Sequence, residues 1–245
     1  MRDKIALSSD RRIMLTVLSM SLGWVFIYLD RVLIFPLLPV IGEEFGLSDT
    51  YRGLIASSYF FFYVLMQTPT GIIGDKYGLS NVVFVMYLIV GLSLIGIGVL
   101  SYSYLLLLLF AALHGFGAGA YYPASYGITI NVVTVDKRGV ASAVVNTGMA
   151  LGLAIGLSIS GPLALMFGSW RDPFLVVALP TIVSAVLIYF VTKNVPGTGS
   201  TANKIRLEVF KNKDLLILSL ASFCSLVGFW VLISVVPPFF VEPNG

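Results

Sequence analysis

The sequence is short of the groups that most chemistry needs. Its 245 residues include one cysteine, Cys224, and one histidine, His114. An intramolecular disulfide and a His/Cys zinc cluster are therefore excluded, and neither a metal nor a cofactor is expected. Charge is scarce too: 11% of residues are Asp, Glu, Lys or Arg against 58% hydrophobic, where soluble chains carry about 25% charged residues. With a mean hydropathy of +0.95, this is the composition of a chain dissolved in a bilayer. A net charge of +3 is too small for a phosphate-binding surface, and no nucleic-acid partner is expected. No Gly-x-x-x-x-Gly-Lys occurs, so ATP hydrolysis is not indicated. One histidine and one carboxylate inside the apolar runs, Asp30, offer no clustered acid and base for a membrane-embedded enzyme.

What is present is a series of long apolar runs. Seven reach the 18 or so residues that cross a hydrocarbon core: about 13–40, 51–74, 82–100, 103–131, 139–168, 173–192 and 214–241. Strands crossing a membrane would be shorter and would alternate, so the fold class expected is an all-α membrane protein. The first run lacks a small-residue cleavage site and is too long for a signal peptide, so it reads as an anchor. Counting basic residues on alternate sides puts twelve on one side, Arg2, Lys4, Arg11, Arg12, Lys76, Lys137, Arg138, Lys193, Lys204, Arg206, Lys211 and Lys213. The other side has Arg52 and Arg171. This asymmetry predicts a multi-pass protein of the plasma membrane with a cytoplasmic N-terminus. A seven-span receptor or light-driven pump has its N-terminus outside, and the retinal lysine of such a pump is missing between Leu215 and Val241.

The one long stretch between spans begins Pro-Gly-Thr-Gly-Ser-Thr at Pro196 and then turns basic, as a flexible cytoplasmic linker does. Three domains are expected: a six-helix transmembrane bundle at 1–192, the linker at 193–213, and, at 214–245, the first helix of a truncated second bundle. The expected partners are the lipid bilayer, a small-molecule solute, protons and the missing C-terminal six-helix half.

Three small-residue patterns stand at consistent topological places. Gly71 and Gly74 permit close backbone approach, Asp75 and Lys76 follow at the membrane surface, and Gly78 permits a tight turn. Gly115, Gly117, Gly119 and Ala120 leave one side of span four nearly bare beside His114. Gly148, Gly152 and Gly156 make a packing ridge in span five that ends in Gly161-Pro162, a helix-weakening pair.

On these residues the whole sequence resembles the major facilitator superfamily. The Gly71 to Gly78 stretch looks like its signature loop between spans two and three, and the run ending Gly161-Pro162 is similar to its glycine-proline motif. Asp136-Lys137-Arg138-Gly139 resembles its loop after span four, and Trp170-Arg171-Asp172-Pro173-Phe174 the start of its span six. Tyr28-Leu29-Asp30-Arg31 most resembles the anion:cation symporter branch. The sequence departs from the pattern at Leu79, Ser80 and Asn81, where the loop usually continues with basic residues. Ala111 and His114-Gly115 stand where span four usually has arginine and a Gln-Gly pair, which weakens any carry-over of a proton-relay role. The resemblance implies twelve spans in two six-helix halves, with spans one and four lining a central cavity.

Asp30 and Arg31 are the most informative residues, because ionisable groups inside a span are costly and mark pathways by default. Asp30 lies 17 residues from Ile13 and His114 lies 17 from Asn131, so each is about 25 Å along its helix from the same face. Asp30, Arg31 and His114 are thus candidates for one polar cluster on a solute and proton pathway, with Tyr28, Tyr59, Tyr63 and Asn146 completing its walls. Gly71, Gly74, Asp75, Lys76, Gly78, Arg138, Gly152, Gly156, Gly161 and Pro162 are candidates for helix packing and conformational gating. Structural readings stand beside these: Asp30 and Arg31 as separate ion pairs, His114 as a buried hydrogen-bonded histidine, the tyrosines as packing or interface anchors. The expected function is secondary active transport of a small solute, most simply proton-coupled symport of an organic anion by alternating access, with Asp30 carrying the proton and Arg31 attracting the anion. Proton-coupled export of hydrophobic drugs or metabolites is the alternative.

Overall fold

Without water to bond the backbone, an apolar chain satisfies its amides within its own helices. The computed structural model describes residues 2–195 and 212–241, and among them there is no strand. The long helices are α1 (Arg2–Val32), α3 (Asp49–Tyr77), α4 (Leu79–Leu100), α7 (Arg138–Phe167), α8 (Asp172–Thr192) and α9 (Lys213–Val241). Three shorter ones complete the set: α2 (Leu38–Phe45), α5 (Tyr104–Ala118) and α6 (Tyr121–Val132). Residues 196–211, most of the expected linker, lie outside the described residues.

Two of the expected spans are broken, each by a proline. Pro36 has no N–H to offer the Val32 carbonyl, so α1 ends and a 3-10 turn, Phe35–Leu37, leads into α2. Pro123 likewise cannot bond Gly119, which separates α5 from α6. Among the described residues, six segments are long and apolar enough to cross a membrane, from Asp10–Phe45 to Lys213–Ile233. The expected second span, α3, is 29 residues long but is not among the six. Its serines, threonines, tyrosines and Gln67 dilute its apolarity because this helix supplies the polar wall described below.

Helices α1 and α7 share the largest packing surface, followed by α4 with α8 and α3 with α5. The first contact is close because of glycine: a Cβ on Gly148, Gly152 or Gly156 would meet the carbonyl oxygen of Ser21, Val25 or Leu29. Trp24 fills the centre of the bundle, edge-on to Tyr121 at 5.0 Å. The hydroxyls of Tyr121 and Tyr87 donate to the α1 carbonyls of Met20 and Gly23, each at 2.7 Å, which pins α6 and α4 to α1. One corner is closed by charge. Arg171 forms a bidentate pair with Glu44 at 3.0 and 2.6 Å and also donates to the Ser101 carbonyl, while the Trp170 indole N–H donates to Glu44. Helix α9 is exposed along nearly all its described length and meets the bundle at the Phe35–Leu37 turn, at α2 and through Trp230.

Candidate functional site

The last turn of α1 places Asp30 and Arg31 side by side in sequence but about 100° apart around the helix. Asp30 turns to α8 and accepts a hydrogen bond from the Thr181 hydroxyl, 3.1 and 3.2 Å from its two oxygens. Arg31 turns to α3, where its Nε donates to the Tyr59 hydroxyl at 2.8 Å. They are 1% and 5% exposed. Among the described residues no ion pair joins them to each other or to any third residue.

Arg31 has ring faces in place of a counter-charge. Its guanidinium carbon lies 4.3 Å from the Tyr63 ring centre, 4.6 Å from Tyr28, 5.3 Å from Tyr59, 5.4 Å from Trp230 and 5.7 Å from Phe60. Each face offers the cation a favourable quadrupole. Tyr59 and Tyr63, one helical turn apart, stack with centres 5.9 Å apart. Trp230 of α9 packs edge-on to Phe60 at 4.9 Å and covers the remaining side. One guanidinium nitrogen, Nη2, is buried with no hydrogen-bond partner.

Asp30, Arg31, Tyr59 and His114 line one recess, whose other walls include Ile55, Phe60 and Phe174. It has room for little more than a water molecule. His114 reaches it because Gly115 lets α5 lie directly on α3, with the Tyr59 carbonyl where a Cβ would stand. The imidazole is edge-on to the Tyr59 ring at 5.0 Å, and its Nε2 has no partner. The helical rise from a common face thus brings Asp30, Arg31 and His114 together, with Tyr28 and Tyr63 against Arg31.

Asn146 stands apart from this recess. It lies about two turns into α7, bonded to the Tyr126 hydroxyl of α6. Gly78, at φ +91°, closes α3 with its N–H on the Gly74 carbonyl at 2.9 Å and turns the chain within one residue into α4. Asp75 and Lys76 are exposed beside this turn, Gly74 faces Leu79, and Gly71 faces Pro123. Arg138 opens α7, with its guanidinium on the Ile130 carbonyl at 3.4 Å. The Gly161-Pro162 pair, expected to weaken span five, leaves α7 unbroken to Phe167, and Gly161 faces open space. Sequence reasoning missed Thr181, Phe60, Trp230 and Glu44. The one available signal was Trp230, the sole tryptophan of its span.

A sequence model of the Major Facilitator Superfamily matches residues 20–244. The chain belongs to this superfamily. It is 26% identical, over 92% of its length, to a probable sulfoacetate transporter of Cupriavidus necator. It is 27% identical, over 94%, to a hexuronate transporter of Bacillus subtilis. Both superfamily relatives are transporters and neither is an enzyme. The chain covers 56% and 57% of them, so it spans about half the length of the curated relatives it matches. A crystal structure of a bacterial homolog to the human lysosomal transporter Spinster, inward-facing and unoccupied, superposes with a TM-score of 0.78 at 23% identity, over 93% of this chain and 55% of that one. That likeness shows the fold, all-α, of which this chain covers about half the length of that structure.

Proposed function

We propose that this superfamily member is a secondary active transporter that carries a small organic anion across the plasma membrane together with protons, by alternating access. The observation that carries the reading is Arg31, a guanidinium 5% exposed with no carboxylate partner among the described residues. A buried cation left in that state is costly, and an anionic solute supplies the missing partner on a planar fork suited to acid groups. Asp30, equally buried and next in the chain, takes the coupled proton. Gain and loss of its negative charge beside the cage changes which form of the protein is favoured. The relatives named for sulfoacetate and for hexuronate, both organic anions, support this choice. In this reading α9 is the first helix of a second six-helix bundle that covers its exposed face, and the bundles rock about the recess. The N-terminus lies in the cytoplasm. The Gly71–Gly78 turn and the α7 glycine ridge serve that motion without touching solute.

The test is proton entry into proteoliposomes holding the full-length protein on addition of glucuronate, lactate, neutral sugars, amino acids or cationic drugs. Organic acids alone drive proton entry; Arg31→Gln abolishes transport, and Asp30→Asn abolishes proton movement. A response to cationic drugs alone, or a silent Asp30→Asn, contradicts the reading and favours export.

A further inference from the structure

Two of the residues that line the recess each carry a buried polar atom with no partner, Nη2 of Arg31 and Nε2 of His114. They come from different helices, α1 and α5, and both side chains lie against Tyr59, His114 at 5.0 Å and the Arg31 guanidinium at 5.3 Å from its ring centre. Their side chains belong to residues 5% and 4% exposed, so bulk water does not bond them. Native interiors leave few such atoms unbonded, and each asks for a reason. Two on one recess point to a molecule that bonds both. The charge on the walls narrows what that molecule is. Arg31 is the one fixed cation among the lining residues, Asp30 is a carboxylate, and Ile34, Phe35, Ile55, Ile97 and Phe174 offer nothing to a second acid group.

Resting on the anion-transport reading, we infer that the recess selects a hydroxylated organic monoanion, with its acid group on Arg31 Nη2 and a hydroxyl on His114 Nε2. A hydroxyl donates and accepts, so it satisfies the imidazole nitrogen in either tautomer. A plain carboxylate of the same shape leaves that nitrogen unbonded, which a site built to bond a hydroxyl penalises. A dianion finds a cation for one charge and meets Asp30 with the other. His114 is therefore a specificity-determining residue. Because the closed recess has room for little more than a water molecule, the solute binds in a form whose aromatic walls have moved outward.

The test is calorimetric titration of the purified full-length protein in detergent with three acids. Glucuronate has one acid and several hydroxyls; tetrahydropyran-2-carboxylate has the same ring and acid without hydroxyls; succinate has two acids. Glucuronate binds about tenfold or more tightly than either of the others. His114→Leu, which keeps the packing on Tyr59, brings glucuronate and the plain ring acid to within about twofold, because the hydrogen bond that set them apart is gone, while Arg31→Gln weakens all three acids. Equal affinity of the unmodified chain for glucuronate and the plain ring acid overturns the assignment of His114 and leaves the anion reading standing, as does a preference that survives His114→Leu. Tighter binding of succinate overturns the monoanion assignment. If no acid binds and Arg31→Gln is silent, both readings fall.

Discussion

Gly152 and Gly161 lie on the same helix, and the same substitution at each has opposite consequences. A Cβ on Gly152 runs into the Val25 carbonyl oxygen and comes within 2.9 Å of the Tyr28 Cβ, whereas on Gly161 it meets nothing within 4 Å. The obstacle at Gly152 is backbone, which cannot swing aside as a side-chain end can. Alanine gains about 0.5–1 kcal/mol over glycine in a helix at either place. Overpacking at Gly152 costs about 1–3 kcal/mol, and pushing α7 off α1 also loosens the contacts of Gly148 and Gly156 with Ser21 and Leu29. Gly152→Ala is therefore destabilising by about 1–2 kcal/mol net, while Gly161→Ala is neutral or stabilising by up to about 1 kcal/mol. At about 2–4 °C per kcal/mol for a chain of this length, thermal unfolding in detergent, followed by tryptophan fluorescence, separates the two variants by about 5 °C. If Gly152→Ala melts at or above Gly161→Ala, the reasoning that α1 and α7 meet backbone to backbone is wrong.

The Glu44–Arg171 pair is bidentate, yet its side chains are 40% and 22% exposed, so a double-mutant cycle with Glu44→Ala and Arg171→Ala gives a coupling of about 1 kcal/mol. A coupling below about 0.3 kcal/mol, the usual scatter of independent sites, removes the corner's role in stability. Tyr121→Phe deletes a buried hydroxyl that donates to Met20 and lowers stability by about 1 kcal/mol; the half-exposed Tyr122→Phe, as a control, stays within about 0.5 kcal/mol. In a Cys224→Ser background, an impermeant maleimide applied to intact cells labels Tyr102→Cys and spares Asp136→Cys, and inverted vesicles reverse the result. The opposite pattern overturns a cytoplasmic N-terminus.

Helix rise was legible in the sequence and helix rotation was not. Asp30 and His114 meet because equal residue counts from one face give equal depth, whatever the side chains between. The same arithmetic sets Asn146 aside: it lies about 10 Å into span five from Gly139, against about 25 Å for Asp30. Its inclusion with the cluster rested on polarity alone. Thr181 facing Asp30 and Trp230 covering Arg31 depend on how α8 and α9 turn about their axes, and a helix apolar on every side has no hydrophobic face to fix that turn. The breaks in spans one and four were hidden for a related reason. Hydropathy runs straight through Pro36 and Pro123, and only the missing N–H at each stops the helix. In α3, Tyr59 and Tyr63 lower the apolarity of the span yet are buried, Tyr59 against His114 of α5 and both against Arg31.

The aromatic cage explains how Arg31 remains buried with no carboxylate partner among the described residues, and why that suits the proposed transport. Removing a guanidinium from water costs several kcal/mol even after relaxation, and each ring face returns about 0.5–2 kcal/mol. Five faces together with the Tyr59 hydrogen bond offset much of the cost without neutralising the charge. An ion pair with Asp30 would have neutralised it, leaving an anion to compete with a fixed carboxylate. A bare cation would have held any anion too tightly to release it within a cycle. The rings lie between these limits: polarisable, uncharged, and drawn from α1, α3 and α9. In the proposed cycle a rocking motion that parts α9 from α3 removes Trp230 from the cage as it opens the recess, so the cation attracts its solute most strongly when the way in is open. As Trp230 returns, the rings again take up part of the charge and the hold on the anion weakens.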